Sequence, residues 1–122
     1  MAEAIFLDNF GFEAHGDLVL IQPTSGLEDM QWELLEPGVE LLIGQLKEQN
    51  PPMVVFNLKS ALSFGEVYLS LLLRLQKGIR KAGGKMVLCE ASRAAAESLR
   101  VTALDQTWAI YDTTEDALEA LS

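Results

Sequence analysis

Cysteine and histidine are almost absent, with one of each in 122 residues. A single cysteine excludes an internal disulfide, and Cys89, at the end of an apolar stretch, reads as a small buried hydrophobe rather than a nucleophile. His15 sits in a predicted turn with no cysteine or histidine companion, which removes the usual basis for a metal centre or an acid–base catalyst. Basic side chains are also scarce, 9 against 18 acidic ones, for a formal charge of −9. Such a surface repels nucleic-acid phosphates and anionic membranes and suits a basic patch on another protein. No apolar run is long enough to cross a bilayer and no N-terminal signal peptide is present, so membrane insertion is not expected and the cytoplasm is the expected location. Phosphate-loop, GxGxxG and GxSxG motifs are missing. The acidic run Asp112–Asp116 lacks the alternating oxygen ligands and central glycine of a calcium loop. The chain does not read as an enzyme, and no cofactor or metal is called for.

What is present is apolar: 49% of the residues are hydrophobic, enough for one core without staples in a chain of this length. With no repeat, low-complexity tract or dividing linker, residues 1–122 are expected to form a single domain. The clearest unit runs from Met53 to Leu88. Met53-Val54-Val55-Phe56-Asn57-Leu58 is nearly continuous in apolar character, as in a strand covered on both faces, and Pro51-Pro52 marks its start. Val67 to Ile79 suits a helix, with Leu69, Leu72, Leu73, Gln76 and Ile79 near one face that should meet the sheet. Leu71 and Leu75 lie on a flank left free for an interface. Gly83-Gly84 ends that helix, with Lys77, Arg80 and Lys81 complementing its dipole, before the strand Lys85-Met86-Val87-Leu88.

Elsewhere the pattern is weaker. Phe6 to Ala14 and Leu18 to Gln22 read as two strands joined by a turn at His15-Gly16-Asp17. Val39, Leu42, Ile43 and Leu46 give a helix its buried stripe, and Pro37 suggests that the preceding stretch, Met30 to Glu36, is separated from it by a kink or break. Ser92 can cap a helix through Ala94, Ala95, Ala96 and Leu99; Thr107 to Tyr111 can form a short strand; Asp112 with Glu115 resembles a cap for a last helix. Alternating strands and helices from Met53 onward predict an α/β fold. Its mixed sheet should have about five strands, an antiparallel hairpin first and mostly parallel strands after, with about four helices.

The strand–loop–helix–Gly-Gly–strand succession resembles the STAS domain family of bacterial anti-sigma-factor antagonists. Val54-Val55-Phe56-Asn57-Leu58 is similar to the family's strand before its Asp-Ser-Ser/Thr-Gly loop, and Ala82-Gly83-Gly84-Lys85-Met86-Val87-Leu88 to the strand after the helix. Ser92-Arg93-Ala94-Ala95, Ala103-Leu104-Asp105 and Ile110 to Leu118 also resemble it. About the last 70 residues carry the likeness. Counted back from Gly83 without a gap, the loop motif falls on Gly65-Glu66-Val67-Tyr68, so Glu66 stands where the family has its phosphoacceptor serine. In the family that serine is phosphorylated by a kinase that is also an anti-sigma factor, and the phosphate switches partner binding. Glu66 has no hydroxyl to accept it.

The resemblance implies a STAS-like fold and a signalling module that takes part in bacterial transcription regulation through protein–protein interaction. Its expected partner-binding residues are Ser63, Phe64, Gly65, Glu66, Val67, Tyr68 and Leu71, and its expected partner is a kinase-like anti-sigma factor or another STAS-containing protein. Ser63-Phe64-Gly65-Glu66 also reads as a capping box, with Ser63 capping the helix and Glu66 reaching back, so Glu66 has a structural reading beside the functional one. Tyr68 either presents a new contact where the family has a small residue or packs on the loop. Two other functions remain open: a structural subunit of a homo-oligomer or larger assembly, using Leu71, Leu75 and Tyr68, and a small-molecule sensor. Ser60, Ser63 and Ser70 flank the site as possible phosphorylation positions.

Overall fold

The computed structural model describes residues 4–7, 10–24, 27–49, 51–61 and 64–122. A six-stranded mixed sheet carries the strands in chain order: β1 (Ala4–Leu7), β2 (Phe10–His15), β3 (Leu18–Pro23), β4 (Met53–Asn57), β5 (Lys85–Cys89) and β6 (Ile110–Tyr111). The first three are antiparallel neighbours and β3 to β6 are parallel. Four α-helices accompany it: α1 (Trp32–Leu46), α2 (Glu66–Lys81), α3 (Arg93–Val101) and α4 (Thr114–Leu121). Short 3₁₀ turns occupy Leu27–Asp29 and Leu104–Gln106.

The expected α/β fold is present, and the hairpin region holds one strand more than anticipated. Phe6 to Ala14 alternates like a single strand, but the chain folds back within it, so that Leu7 pairs with Phe10 and Ala4 with Glu13. Between β2 and β3 the two-residue turn places Gly16 at φ +64°, as its lack of a Cβ permits.

Strands β4 and β5 lie inside the sheet, which is why their sequences are nearly unbroken apolar runs. Val54, Phe56, Met86 and Leu88 join the main core with buried residues of α1, α2 and α3, while Val55, Val87 and Cys89 form a second cluster with Ala117 of α4. The sheet is therefore covered on one face by the crossover helices α1, α2 and α3 and on the other by the C-terminal helix α4.

Helix α1 runs unbroken through Pro37, so the break allowed for there is absent and Met30 to Glu36 is not a separate helix. Proline at its sixth position removes only the amide that would bond to the Glu33 carbonyl, at an exposed point near the helix start. The buried stripe Leu35, Val39, Leu42, Ile43 and Leu46 continues past it. In α2 the buried face is Tyr68, Leu71, Leu72, Leu75, Gly78 and Ile79, rotated from the expected one, and Leu73 is exposed. The first half of α2 is apolar almost all round, so its periodicity cannot choose a face. Packing against α1 chooses it: Gly78 sits so close to Ile43 that a Cβ would lie 3.1 Å from the Ile43 Cγ2.

The end of α2 is a Schellman cap. Gly83, at φ +79°, donates to the Arg80 carbonyl at 3.0 Å and Gly84 to the Ile79 carbonyl at 2.9 Å. Gly84 has a second role, because a Cβ there would fall 1.9 Å from the Pro52 carbonyl oxygen, the acceptor of the Lys85 amide at 3.0 Å. Gly84→Ala should therefore destabilise by about 3 kcal/mol or more, since backbone would have to move. Gly44→Ala, at an exposed mid-helix position with nothing near the added Cβ, should stabilise by about 0.5–1 kcal/mol. Urea unfolding of the two variants checks the opposite signs.

Candidate functional site

The C-terminal edge of the parallel strands gathers the loop after β4 and the starts of α2, α3 and α4. Three serine hydroxyls tie that loop down. Ser60 donates to the Pro23 carbonyl at 2.7 Å, Ser92 to the Ala61 carbonyl at 2.6 Å and Ser98 to the Phe64 carbonyl at 3.1 Å. Ser92 also accepts from the Ala95 amide at 3.1 Å, so it caps α3 as its position suggested while holding the loop. The Asn57 side-chain oxygen accepts from the Lys59 amide at 2.7 Å, and the Leu58 amide bonds to the Cys89 carbonyl at 2.9 Å. Leu58 and Ala61 are fully buried beneath these bonds. The loop is thus anchored to β3, β5 and α3.

From this base the chain enters α2 through Gly65, whose extended backbone forms the N-cap without a side-chain bond. Glu66 is the first helical residue and is exposed. A capping box would need the glutamate at the third helical position, which Tyr68 occupies. Ser63 lies outside the described residues. Glu66, Val67 and Ser70 face Gln31, Trp32 and Glu33 across an open groove of about 370 Å³ between the starts of α2 and α1. Among the described residues neither Glu33 nor Glu66 enters an ion pair.

Tyr68, Leu71 and Leu75, expected to offer contacts to a partner or to a second copy, are instead fully buried. Tyr68 stacks on Phe64 with ring centroids 5.3 Å apart and an interplanar angle of 22°. The flank of α2 that looked uncovered is taken by α1 and by the 3₁₀ turn that buries Leu27. Of the residues expected to bind a partner, Gly65 and Glu66 are exposed and Val67 is half-buried, whereas Phe64, Tyr68 and Leu71 support them from below. Ser60, considered as a phosphorylation position, spends its hydroxyl on the Pro23 carbonyl.

A polar cluster with little trace in the sequence lies beside the loop. Glu90, at φ +50° just past β5, accepts from the Asn57 amide at 3.1 Å, the Thr114 amide at 3.2 Å and the Thr114 hydroxyl at 2.5 Å. The Thr114 hydroxyl holds the Glu90 carboxyl below the ordinary carboxylate range. The Thr114 amide, the Lys59 charge and the Asn57 amide add to this, against a smaller opposing effect of burial. The only legible signal was a buried asparagine ending an otherwise apolar strand. The cap of α4 is Thr113, whose hydroxyl accepts from the Asp116 amide at 3.0 Å, rather than Asp112. Cys89 is buried, with its thiol 3.4 Å from the Thr114 hydroxyl, and burial pushes its pKa up, away from nucleophilic use. His15 contacts Glu13 at 2.5 Å, and no group of three metal-ligating side chains occurs among the described residues.

A family model for the STAS domain matches residues 27–117, well over half of the chain. Solved structures similar to it include an anti-sigma-factor antagonist (STAS) domain protein from Planctomyces limnophilus, with a TM-score of 0.76 and 24% identity over 92% of this chain and 97% of that one. A putative anti-sigma factor antagonist from Thermotoga maritima matches with a TM-score of 0.74 and 24% identity over 92% and 93% of the two chains. An anti-sigma factor antagonist from Mycobacterium paratuberculosis matches with a TM-score of 0.71 and 26% identity over 99% and 94%. No curated protein matches the chain.

Thr114→Val removes the main donor to Glu90 and should cost about 1 kcal/mol at neutral pH. The native Glu90 pKa lies below its unfolded value, so this stabilisation is complete above the unfolded pKa and is lost as the pH falls through the native one. The stability gap between wild type and variant should therefore close on acidification from about pH 6 to pH 3. Urea titrations across that range measure it.

Proposed function

The chain belongs to the STAS domain family, and on that premise we propose that it is a single-domain, non-enzymatic interaction module of the anti-sigma-factor-antagonist type, acting in the cytoplasm and regulating a protein partner by binding it. The binding surface is the end of the loop after β4 with the first turn of α2, centred on Gly65, Glu66 and Val67. Trp32, Glu33 and Ser70 extend it across the groove. The partner is a kinase-like anti-sigma factor or another STAS-containing protein.

The observation that carries this reading is the position of Glu66. It falls on the family's phosphoacceptor by spacing from Gly83, and it stands exposed as the first residue of α2 at the end of a loop tied down at three points. A rigid frame with an exposed, chemically altered tip supports recognition whose switch has been fixed. The carboxylate has one charge and two oxygens where a phosphoserine carries about −1.5 to −2 and three, so it reproduces the phosphorylated state only in part. Its placement in the first turn also suits the helix dipole, for about 0.3–1 kcal/mol. That contribution is compatible with recognition, since an exposed carboxylate keeps its outward oxygens.

Incubated with ATP and native lysate, the Glu66→Ser variant is expected to gain one phosphate at residue 66, while the wild type gains none there. Peptide mass spectrometry reads both. A variant that stays unmodified would show that the kinase-docking surface has been lost, and would remove the kinase-like partner from the proposal.

A further inference from the structure

Helices α1 and α2 lie side by side and run in the same direction, because Glu40 pairs with Arg74 and, one turn further on, Ile43 meets Gly78. Their outer surface is polarised along its length. At the N-terminal end, the groove described above holds the carboxylates Glu33 and Glu66 beside Trp32. At the C-terminal end, a second groove of about 340 Å³ is lined by Lys47, Gln49, Lys81 and Ala82, and Lys77 is exposed one turn before Lys81 on α2. Helix α1 carries Glu33, Glu36 and Glu40 and no basic residue. Helix α2 carries Arg74, Lys77, Arg80 and Lys81 in its second half.

Charges of these signs at these ends complement the helix dipoles and need no partner to explain them. The leucines between them are not explained that way. Leu41 is 62% exposed and Leu73 49%; a third exposed leucine, Leu34 at 69%, lies in the first turn of α1 rather than between the ends. Leu41 and Leu73 stand at the same level, each next to a member of the Glu40–Arg74 pair. Nearby, Gly44 is exposed with nothing around it, so a second surface can approach α1 closely there.

We propose that a second copy of this chain covers the face. The two copies stack antiparallel about a twofold axis perpendicular to the helices. Leu41 and Leu73 then meet the leucines of the other copy at the centre, and each carboxylate groove faces the lysine-lined end of the other protomer. One operation satisfies the apolar middle and both charged ends, the self-complementarity that a closed twofold contact requires. Helices of 15 and 16 residues give a face roughly 22 Å long and 20 Å wide, about 450 Å² per protomer. A standard stable interface buries about 800 Å² per partner, so the dimer is weak, concentration-dependent and sensitive to salt. It stands apart from the partner reading given above. It bears on that reading in one respect: Glu66 lines a groove, so self-association covers the first turn of α2 and competes with a partner there.

Sedimentation velocity from low micromolar to near-millimolar protein, in low and high salt, tests this together with a charge exchange. The wild type should move toward dimer with concentration and return to monomer in high salt. Glu33→Lys/Glu66→Lys makes both ends of the face basic, and Lys77→Glu/Lys81→Glu makes both acidic; all four positions are exposed, and circular dichroism verifies that both variants are folded. Each alone should stay monomeric, and an equimolar mixture should form a heterodimer at least as readily as the wild type self-associates. Leu41→Glu should abolish association without any change in the two grooves. A wild type that remains monomeric throughout, double variants that still self-associate, or folded variants that do not pair when mixed would each overturn the proposal. None of these outcomes depends on a kinase or on any other partner, so they are distinct from failure of the Glu66→Ser phosphorylation.

Discussion

The close approach of Gly84 to the Pro52 carbonyl sets the register from which the upper half of the molecule is built. Where a Cβ would need to lie 1.9 Å from that oxygen, only glycine lets the Lys85 amide bond to it. From this point β4 and β5 run in step, Met53 beside Lys85 and, four residues on, Asn57 beside Cys89. A one-residue slip would turn every side chain of an inner strand to the wrong face. Here it would also separate Asn57 from Glu90 and the Leu58 amide from the Cys89 carbonyl. The contact at the lower edge of the sheet thereby governs the geometry of the loop at the upper edge.

At that upper edge, short hydroxyl side chains do most of the positioning. Ser60, Ser92 and Ser98 reach the loop from the loop itself and from two points on α3, and each bonds a backbone carbonyl that would otherwise be poorly satisfied near the core. At α4 the Thr113 hydroxyl caps the helix by accepting from the Asp116 amide, while Thr114 donates its hydroxyl and amide to Glu90, which stands in a left-handed backbone conformation. Such a conformation persists in a non-glycine residue when its surroundings over-determine it, and three hydrogen bonds to one carboxylate do so here. The result is a rigid platform on which Gly65, Glu66 and Val67 are presented. Under the proposed function, a fixed charge at that place suits constant recognition, where a phosphorylatable serine would make it conditional.

Family membership and the three-dimensional likeness to anti-sigma-factor antagonists agree on the scaffold. The same scaffold leaves Leu41 and Leu73 exposed beside the Glu40–Arg74 pair on the outer α1–α2 face, between ends of opposite charge. The proposed partner surface and the proposed dimer face share Glu66, so association of two copies would limit access to the loop.

Much of this was legible in the residues themselves. The inner strands, the Gly-Gly helix stop, the Ser92 cap and the alternation of strands and helices follow from local chemistry: unbroken apolar runs, a residue tolerant of positive φ, and a hydroxyl at a helix entrance. The start of α2 was legible to within one residue, but the capping-box place expected for Glu66 is not kept, because Gly65 rather than Ser63 is the N-cap. The burial of Tyr68, Leu71 and Leu75 and the exposure of Leu73 could not be read, since a helix apolar on nearly every side has no periodicity to orient it. The continuity of α1 through Pro37, the fold-back inside the first predicted strand and the Asn57–Glu90–Thr114 cluster were equally hidden. Each depends on groups far apart in the chain. Sequence alone determined the inner strands, the Gly-Gly stop and the Ser92 cap, because those are short-range energies; the tertiary structure decided which faces are buried and which side chains share the loop's edge, because packing area and long-range hydrogen bonds exist only once the layers have met.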